Sequence, residues 1–110
     1  STCLIDALPP ASFHGEVNVY GRPGHIPSAT NASAAALIDP ATGKYLPLDE
    51  LRDRFPDDES ARIVNYCGGG IAASSTAFVQ TLLGFDNVAV YTASLQEWAT
   101  DADAPMTTES

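Results

Sequence analysis

The chain has 110 residues, 45% hydrophobic and 17% charged, which fits one globular domain and excludes a disordered segment. Fourteen acidic residues against five basic ones give a net charge of −9 at pH 7, which opposes binding to nucleic acid. No apolar stretch approaches the ~20 residues of a membrane span, so we expect no membrane partner and a cytoplasmic protein. The two cysteines, Cys3 and Cys67, belong to no Cys/His cluster and predict neither a metal site nor a cofactor.

The first half of the chain predicts one strand followed by a long loop. The apolar run from Cys3 to Asp6 forms the strand, and Pro9-Pro10 ends it because proline breaks regular pairing. Residues 14–31 are rich in Gly and Pro and predict a loop with a short extended piece around 29–31. A helix is then expected to start over 34–38.

The second half predicts alternating helices and strands. In chain order these are a helix over 48–55, a buried strand over 61–66, a helix from Ile71, a strand over 88–91 and a helix over 94–98. Gly84 is placed to end the helix that begins at Ile71, and Ser94 is placed to N-cap the last helix. A polar tail occupies 101–110. Such alternation predicts a single α/β domain over 1–110, with a parallel sheet covered on both faces.

One segment of the sequence carries chemistry: the turn Tyr66-Cys67-Gly68-Gly69-Gly70, between a buried strand and a helix. Glycines let the backbone curl so that successive N–H groups point inward at the helix N-terminus. These amides favour the thiolate, which is the reactive form of cysteine, and also stabilise an anion attached to the sulfur. The pattern predicts that Cys67 is a nucleophile; the alternative is an inert buried cysteine beside a flexible turn.

Four segments, in order along the chain, resemble the rhodanese superfamily. Cys67 to Ala73 is similar to its active-site loop, and Leu4 to Ala7 to the opening strand of its domain. Gly24 to Ala29 resembles its Gly-His-Ile-Pro-Gly-Ala signature, with Ser28 in place of Gly. The stretch over 87–98 resembles its last strand and the helix that ends in Glu-Trp. The resemblance is closest to the C-terminal, catalytic half of the thiosulfate and 3-mercaptopyruvate sulfurtransferases.

This resemblance implies a rhodanese-like fold, a central parallel sheet with helices on both faces, and a second rhodanese domain upstream. It also implies that Cys67 takes a sulfane sulfur from a small donor, thiosulfate or 3-mercaptopyruvate, as a persulfide. The sulfur then passes to a thiol or thioredoxin-like acceptor. The loop residues that would bind the persulfide are Gly68, Gly69, Gly70, Ile71 and Ala72. Related phosphatases have a longer loop that ends in Arg, whereas Ala73 stands here, so phosphatase chemistry is not expected.

The sequence departs from the family where substrate anions are bound. Leu8 and Ser12 stand where the family has arginines, and Gly68 and Gly69 where thiosulfate-using members often carry basic residues. These departures favour the alternative function, a non-catalytic rhodanese-like module that binds a partner or regulates an attached domain. The retained cysteine in its glycine loop favours the enzyme.

Four further residues are candidates for a role near the site. Asp6 is expected to orient neighbouring loops, since the family places an aspartate at this position. His14 and Arg22 are the nearest basic residues by sequence and are possible accessory groups, although a surface or loop-tying role fits each better. His25 is expected to be structural, bonded to backbone groups.

Overall fold

The computed structural model describes residues 2–17, 21–55 and 60–108. Its centre is a sheet of four parallel strands in the order β2-β1-β3-β4. The strands are β1 (Thr2–Asp6), β2 (Thr30–Asn31), β3 (Arg62–Tyr66) and β4 (Val88–Val90). Asp6 lies opposite Tyr66 in the register, so the carboxyl ends of β1 and β3 meet at one edge. The predicted parallel sheet is therefore confirmed.

The helices are short, with one exception. They are α1 (Pro10–Phe13), a 3-10 helix (Ala34–Leu37), α2 (Leu48–Arg52), α3 (Ile71–Leu82) and α4 (Ser94–Trp98). The start of α3 at Ile71 is as predicted. The prediction missed α1, because Pro10 was read only as a breaker, although proline suits the first turn of a helix. The prediction for α2 was too long, since this helix ends at Arg52 rather than at residue 55.

Two apolar cores lie on opposite faces of the sheet. Successive side chains along a strand point to opposite faces of the sheet. In β1, Ile5 faces the first core and Leu4 faces the second. In β3, Ile63 faces the first core and Tyr66 faces the second. Helices α2 and α3 pack against the first core. Its other buried residues are Ala32, Leu37, Leu51, Phe55, Val79, Leu83 and Phe85. Helices α1 and α4 pack against the second core, in which Phe13, Ile26, Ala29 and Leu95 are buried. Helices therefore cover both faces, as predicted.

A buried amide pair and a glycine cap fix α3 on the sheet. The side chains of Asn65 in β3 and Gln80 in α3 donate to each other, at 2.8 and 2.9 Å, and both are fully buried. Paired in this way, two amides avoid the cost of burying polar groups without partners. The predicted cap is also present: Gly84 has φ +103°, and the N–H of Phe85 donates to the carbonyl of Gln80. The helix is thus fixed in position at the end opposite the Cys67 loop.

The segment after α4 folds back onto the domain. Thr107 and His25 exchange two backbone hydrogen bonds of 2.8 Å, and the indole N–H of Trp98 donates to the carbonyl of Pro105 at 2.9 Å. The predicted polar tail is therefore in contact with the second core up to at least residue 107. In the described ranges, no helix has the length and apolar character required to cross a bilayer.

Candidate active site

Cys67 is the first residue after β3, at the carboxyl edge of the sheet. It is 2% exposed and lies in a small apolar cluster. The neighbours in this cluster are small or aliphatic: Ala7, Leu8, Ala34, Ala72, Ala73 and Val90. Four of them are alanines, so little side-chain volume surrounds the sulfur.

Two backbone amides donate hydrogen bonds to the Cys67 sulfur. The N–H of Gly70 lies 3.0 Å from Sγ, and the N–H of Ala73, in the first turn of α3, lies 3.3 Å from it. Both belong to the N-terminal end of α3, where unpaired N–H groups carry partial positive charge. Gly70 was among the predicted loop residues; Ala73 was not, because the expected loop ended at Ala72. The arrangement favours negative charge on the sulfur.

Gly70 is required by its backbone and by its neighbour. Its φ is +96°, a left-handed conformation that favours glycine. A Cβ at this position would lie 2.7 Å from the carbonyl oxygen of Thr92, closer than real contacts allow. The loop can therefore approach the β4–α4 connection only with glycine at this position.

The start of α4 binds the other side of the loop. The N–H groups of Leu95 and Gln96 donate to the carbonyls of Cys67 (3.0 Å) and Gly68 (2.9 Å). A trans peptide points its N–H opposite to its C=O. The N–H groups of Gly68 and Gly69 therefore point away from α4.

Ser94 does not have the role that the sequence predicted. Its φ of +50° is unlike the extended backbone of an N-cap, and no side chain caps α4. Its hydroxyl instead accepts the N–H of Cys67 at 3.1 Å and donates to the carbonyl of Tyr91 at 2.6 Å. The N-cap prediction was wrong because the partner of Ser94 is 27 residues away along the chain, which local spacing cannot reveal.

Asp6 lies buried beside the site and supports the turn after β1. Its Oδ1 accepts the N–H of Leu8 at 2.8 Å, while Oδ2 accepts no hydrogen bond within 3.5 Å. Loss of solvent raises the pKa of Asp6 above its usual 3.8; the Leu8 amide, the nearby Tyr66 hydroxyl and His25 oppose that rise. Burial and the Asp6 charge raise the pKa of Tyr66. Asp6 thus bonds to the backbone of Leu8, at the exit of β1, rather than to the sulfur.

The histidines and Arg22 lie in structural or exposed positions. His25 is buried, stacks on Phe13 at 3.6 Å between ring centroids, and its Nδ1 lies 2.6 Å from the carbonyl of Phe13. Its predicted structural role is therefore supported. His14 is exposed and meets the Phe13 ring edge-on. Arg22 donates to the carbonyl of Asp101 at 2.8 Å, which ties its loop to the segment after α4.

The sequence profile of the rhodanese-like domain family matches residues 1–101. The chain belongs to the rhodanese-like family. Its relatives within this family include enzymes named for sulfur transfer. The chain is 36% identical over 113 residues to a probable 3-mercaptopyruvate sulfurtransferase of Pseudomonas aeruginosa, with 96% of this chain and 38% of the relative covered. It is also 36% identical over 116 residues to a putative thiosulfate sulfurtransferase of Haloferax volcanii, with 94% and 40% covered.

This rhodanese-like chain therefore spans about two fifths of the length of these relatives. A third relative, the mitochondrial thiosulfate/3-mercaptopyruvate sulfurtransferase 1 of Arabidopsis thaliana, is 33% identical over 108 residues, with 93% of this chain and 28% of the relative covered. All three relatives are named sulfurtransferases: one for 3-mercaptopyruvate, one for thiosulfate and one for both.

Solved structures agree with the rhodanese-like fold. An ergothioneine biosynthesis enzyme from Chlorobium limicola, in complex with trimethyl histidine, superposes with a TM-score of 0.86 at 23% identity, over 99% of this chain and 28% of that one. The Tum1 protein of Saccharomyces cerevisiae gives 0.81 at 23% identity, over 99% and 41%. At this identity the likeness establishes the fold alone.

Proposed function

We propose that this chain is a sulfurtransferase domain that carries sulfane sulfur as a persulfide on Cys67. The observation that supports this most directly is the pair of N–H groups, from Gly70 and Ala73, at 3.0 and 3.3 Å from the sulfur. Donors fixed in this way stabilise a thiolate before the reaction and an anionic persulfide after it. The expected role of the loop residues Gly68, Gly69, Ile71 and Ala72 in binding the persulfide remains part of the proposal.

The proposed donor is thiosulfate or 3-mercaptopyruvate. With thiosulfate, the Cys67 thiolate attacks the outer sulfur, the S–S bond breaks, and its electron pair leaves with sulfite. An acceptor thiolate then attacks the outer sulfur of the persulfide and releases the Cys67 thiolate. EanB, a structural neighbour with a TM-score of 0.86 at 23% identity, has been solved with ergothioneine covalently linked to a persulfide cysteine.

The acceptor is proposed to be a small thiol or a thioredoxin-like protein, in the cytoplasm. An upstream rhodanese domain is also proposed, which fits the greater length of the relatives. His14 and Arg22 remain candidate accessory residues for the approach of an anionic donor, and neither contacts Cys67 through a hydrogen bond recorded among the described residues.

One observation favours a second candidate, a non-catalytic binding or regulatory module. The apolar cluster that holds Cys67 includes Leu8, which stands where the family has an arginine. Of the basic residues, Arg52 donates to the carbonyl of Leu83 near the C-terminal end of α3, and Arg62 starts β3 at the edge opposite Cys67. These two arginines therefore lie away from the Cys67 loop.

Initial-rate kinetics separate the two candidates. Sulfite or pyruvate release is measured while donor and thiol acceptor are both varied, with Cys67→Ala as the control. A sulfurtransferase gives parallel double-reciprocal lines, because the persulfide separates two half-reactions. If neither donor gives sulfite or pyruvate release faster than Cys67→Ala does, the non-catalytic module is favoured instead.

A further inference from the structure

We propose that Ser94 is a positioning residue for the Cys67 loop. Only the predicted effect of Ser94 on the rate of sulfur loading rests on the proposed function. Its structural part concerns one hydroxyl group that joins the start of the loop to the end of β4. Ser94 is fully buried, so this hydroxyl exchanges no hydrogen bonds with solvent.

The hydroxyl connects two backbone groups that no secondary structure would otherwise pair. It accepts the N–H of Cys67 at 3.1 Å and donates to the carbonyl of Tyr91 at 2.6 Å. Both of its hydrogen-bonding directions are therefore used within the protein. The N–H of Cys67 is thereby directed to the β4–α4 connection and cannot turn towards the sulfur.

The same connection determines where the next two peptides point. The N–H of Leu95 donates to the carbonyl of Cys67, and the N–H of Gln96 donates to the carbonyl of Gly68. With the N–H of Cys67, three backbone groups of the loop are therefore bonded to residues 94–96. The loop can then curl only around its sulfur, where Gly70 and Ala73 donate. Residues 94–96 thus act as a template for the amides that contact the sulfur.

The backbone of Ser94 supports a role beyond packing. Its φ of +50° is rare for a residue other than glycine, because in this conformation the Cβ lies close to the following carbonyl oxygen. Glycine would relieve that strain but would lack the hydroxyl. The hydroxyl and its two hydrogen bonds are therefore what distinguishes serine from glycine at this position.

Ser94→Gly provides the test, since it removes the hydroxyl and keeps the chain able to fold. Ser94→Ala removes the hydroxyl and keeps the strain, and Ser33→Ala, which changes another buried serine, is the matched control. Amide hydrogen exchange is measured by NMR at Gly70 and Ala73, with the amides of β1 as the internal reference. We expect exchange at Gly70 and Ala73 to be about tenfold faster in both Ser94 variants and unchanged in Ser33→Ala, because the loop opens locally without the hydroxyl.

The consequence is measured by single-turnover loading of sulfur onto Cys67. In Ser94→Gly we expect the maximal loading rate constant to fall about tenfold, with the half-saturating donor concentration little changed and the melting temperature retained, since misaligned donors weaken stabilisation of the reacting sulfur. Unchanged exchange at Gly70 and Ala73, or faster exchange with unchanged loading, would overturn the positioning role. If the wild type accepts sulfur from no donor, the proposed function fails, and the exchange comparison alone decides whether Ser94 positions the loop.

Discussion

At the scale of single residues, Asp6 is the most unusual group near the site. Its carboxyl is fully buried at the carboxyl end of β1, and only one of its two oxygens accepts a hydrogen bond within 3.5 Å. Burial therefore raises its pKa, despite the Leu8 amide and the neighbouring Tyr66 and His25. The charged form is unfavourable in the folded state, and the fold retains the group because it orders the turn that leads from β1 past Cys67.

Asp6→Asn tests this account through the pH dependence of stability. The folded-state pKa is raised above 3.8, so the unfolded chain loses this proton first as the pH rises. The wild type therefore loses stability from about pH 4 upward, until the folded-state pKa is passed. Asparagine cannot ionise, so the free energy of unfolding of Asp6→Asn, minus that of the wild type, should increase between about pH 4 and about pH 7. Urea unfolding at both pH values measures it.

The exposed residue Asp86 provides the control for that experiment. Asp86→Asn removes one carboxylate from the surface, so it accounts for the change in net charge that Asp6→Asn also makes. A difference between Asp6→Asn and the wild type that stays constant with pH would contradict the account.

At the scale of elements, the site depends on how the loop before α3 packs on the β4–α4 connection. Gly70 ends that loop with φ +96° and approaches the carbonyl of Thr92. Gly43, in a surface turn, has φ +73° and no atom within 4 Å of where its Cβ would lie. Substitutions at these two glycines therefore distinguish the effect of the left-handed backbone conformation from the effect of the close approach to Thr92.

Gly70→Ala and Gly43→Ala should differ in both stability and loading. Gly43→Ala should lower the free energy of unfolding by about 1–2 kcal/mol, through the left-handed conformation alone. Gly70→Ala should lower it by about 3 kcal/mol or more, because Thr92 must also move. Gly70→Ala should also slow sulfur loading, because the backbone shift displaces the N–H that donates to the Cys67 sulfur. Urea unfolding and loading rates measure both; equal losses in the two variants would show that the approach to Thr92 is unimportant.

The sequence predicts the elements better than it predicts their contacts. The strand before Cys67, the start of α3 and the Gly84 cap follow from local patterns of β-branched, apolar and glycine residues. The sequence-based prediction missed α1, since proline both breaks strands and starts helices. It also missed Ser94 as the partner of Cys67 and Ala73 as a donor, because these contacts depend on how β4, α4 and the first turn of α3 pack together.

At the scale of the whole molecule, the parts of the site lie together at one edge of the sheet. The parallel order puts the ends of β1 and β3 side by side, so Ala7, Cys67 and the start of α3 meet there. Two cores on opposite faces fix that edge from both sides. The family match over residues 1–101 agrees with this fold. We propose that Cys67 carries sulfur at this edge.

Intact mass spectrometry tests that claim most directly. The protein is incubated with thiosulfate or 3-mercaptopyruvate, freed of excess donor, and compared with Cys67→Ala and with Cys3→Ala, which removes the other, half-buried thiol. We predict a gain of about 32 Da, one sulfur atom, on the wild type and on Cys3→Ala, which a thiol acceptor then removes. Cys67→Ala should gain nothing. An equal gain on Cys67→Ala, or no gain on the wild type with either donor, would contradict the account.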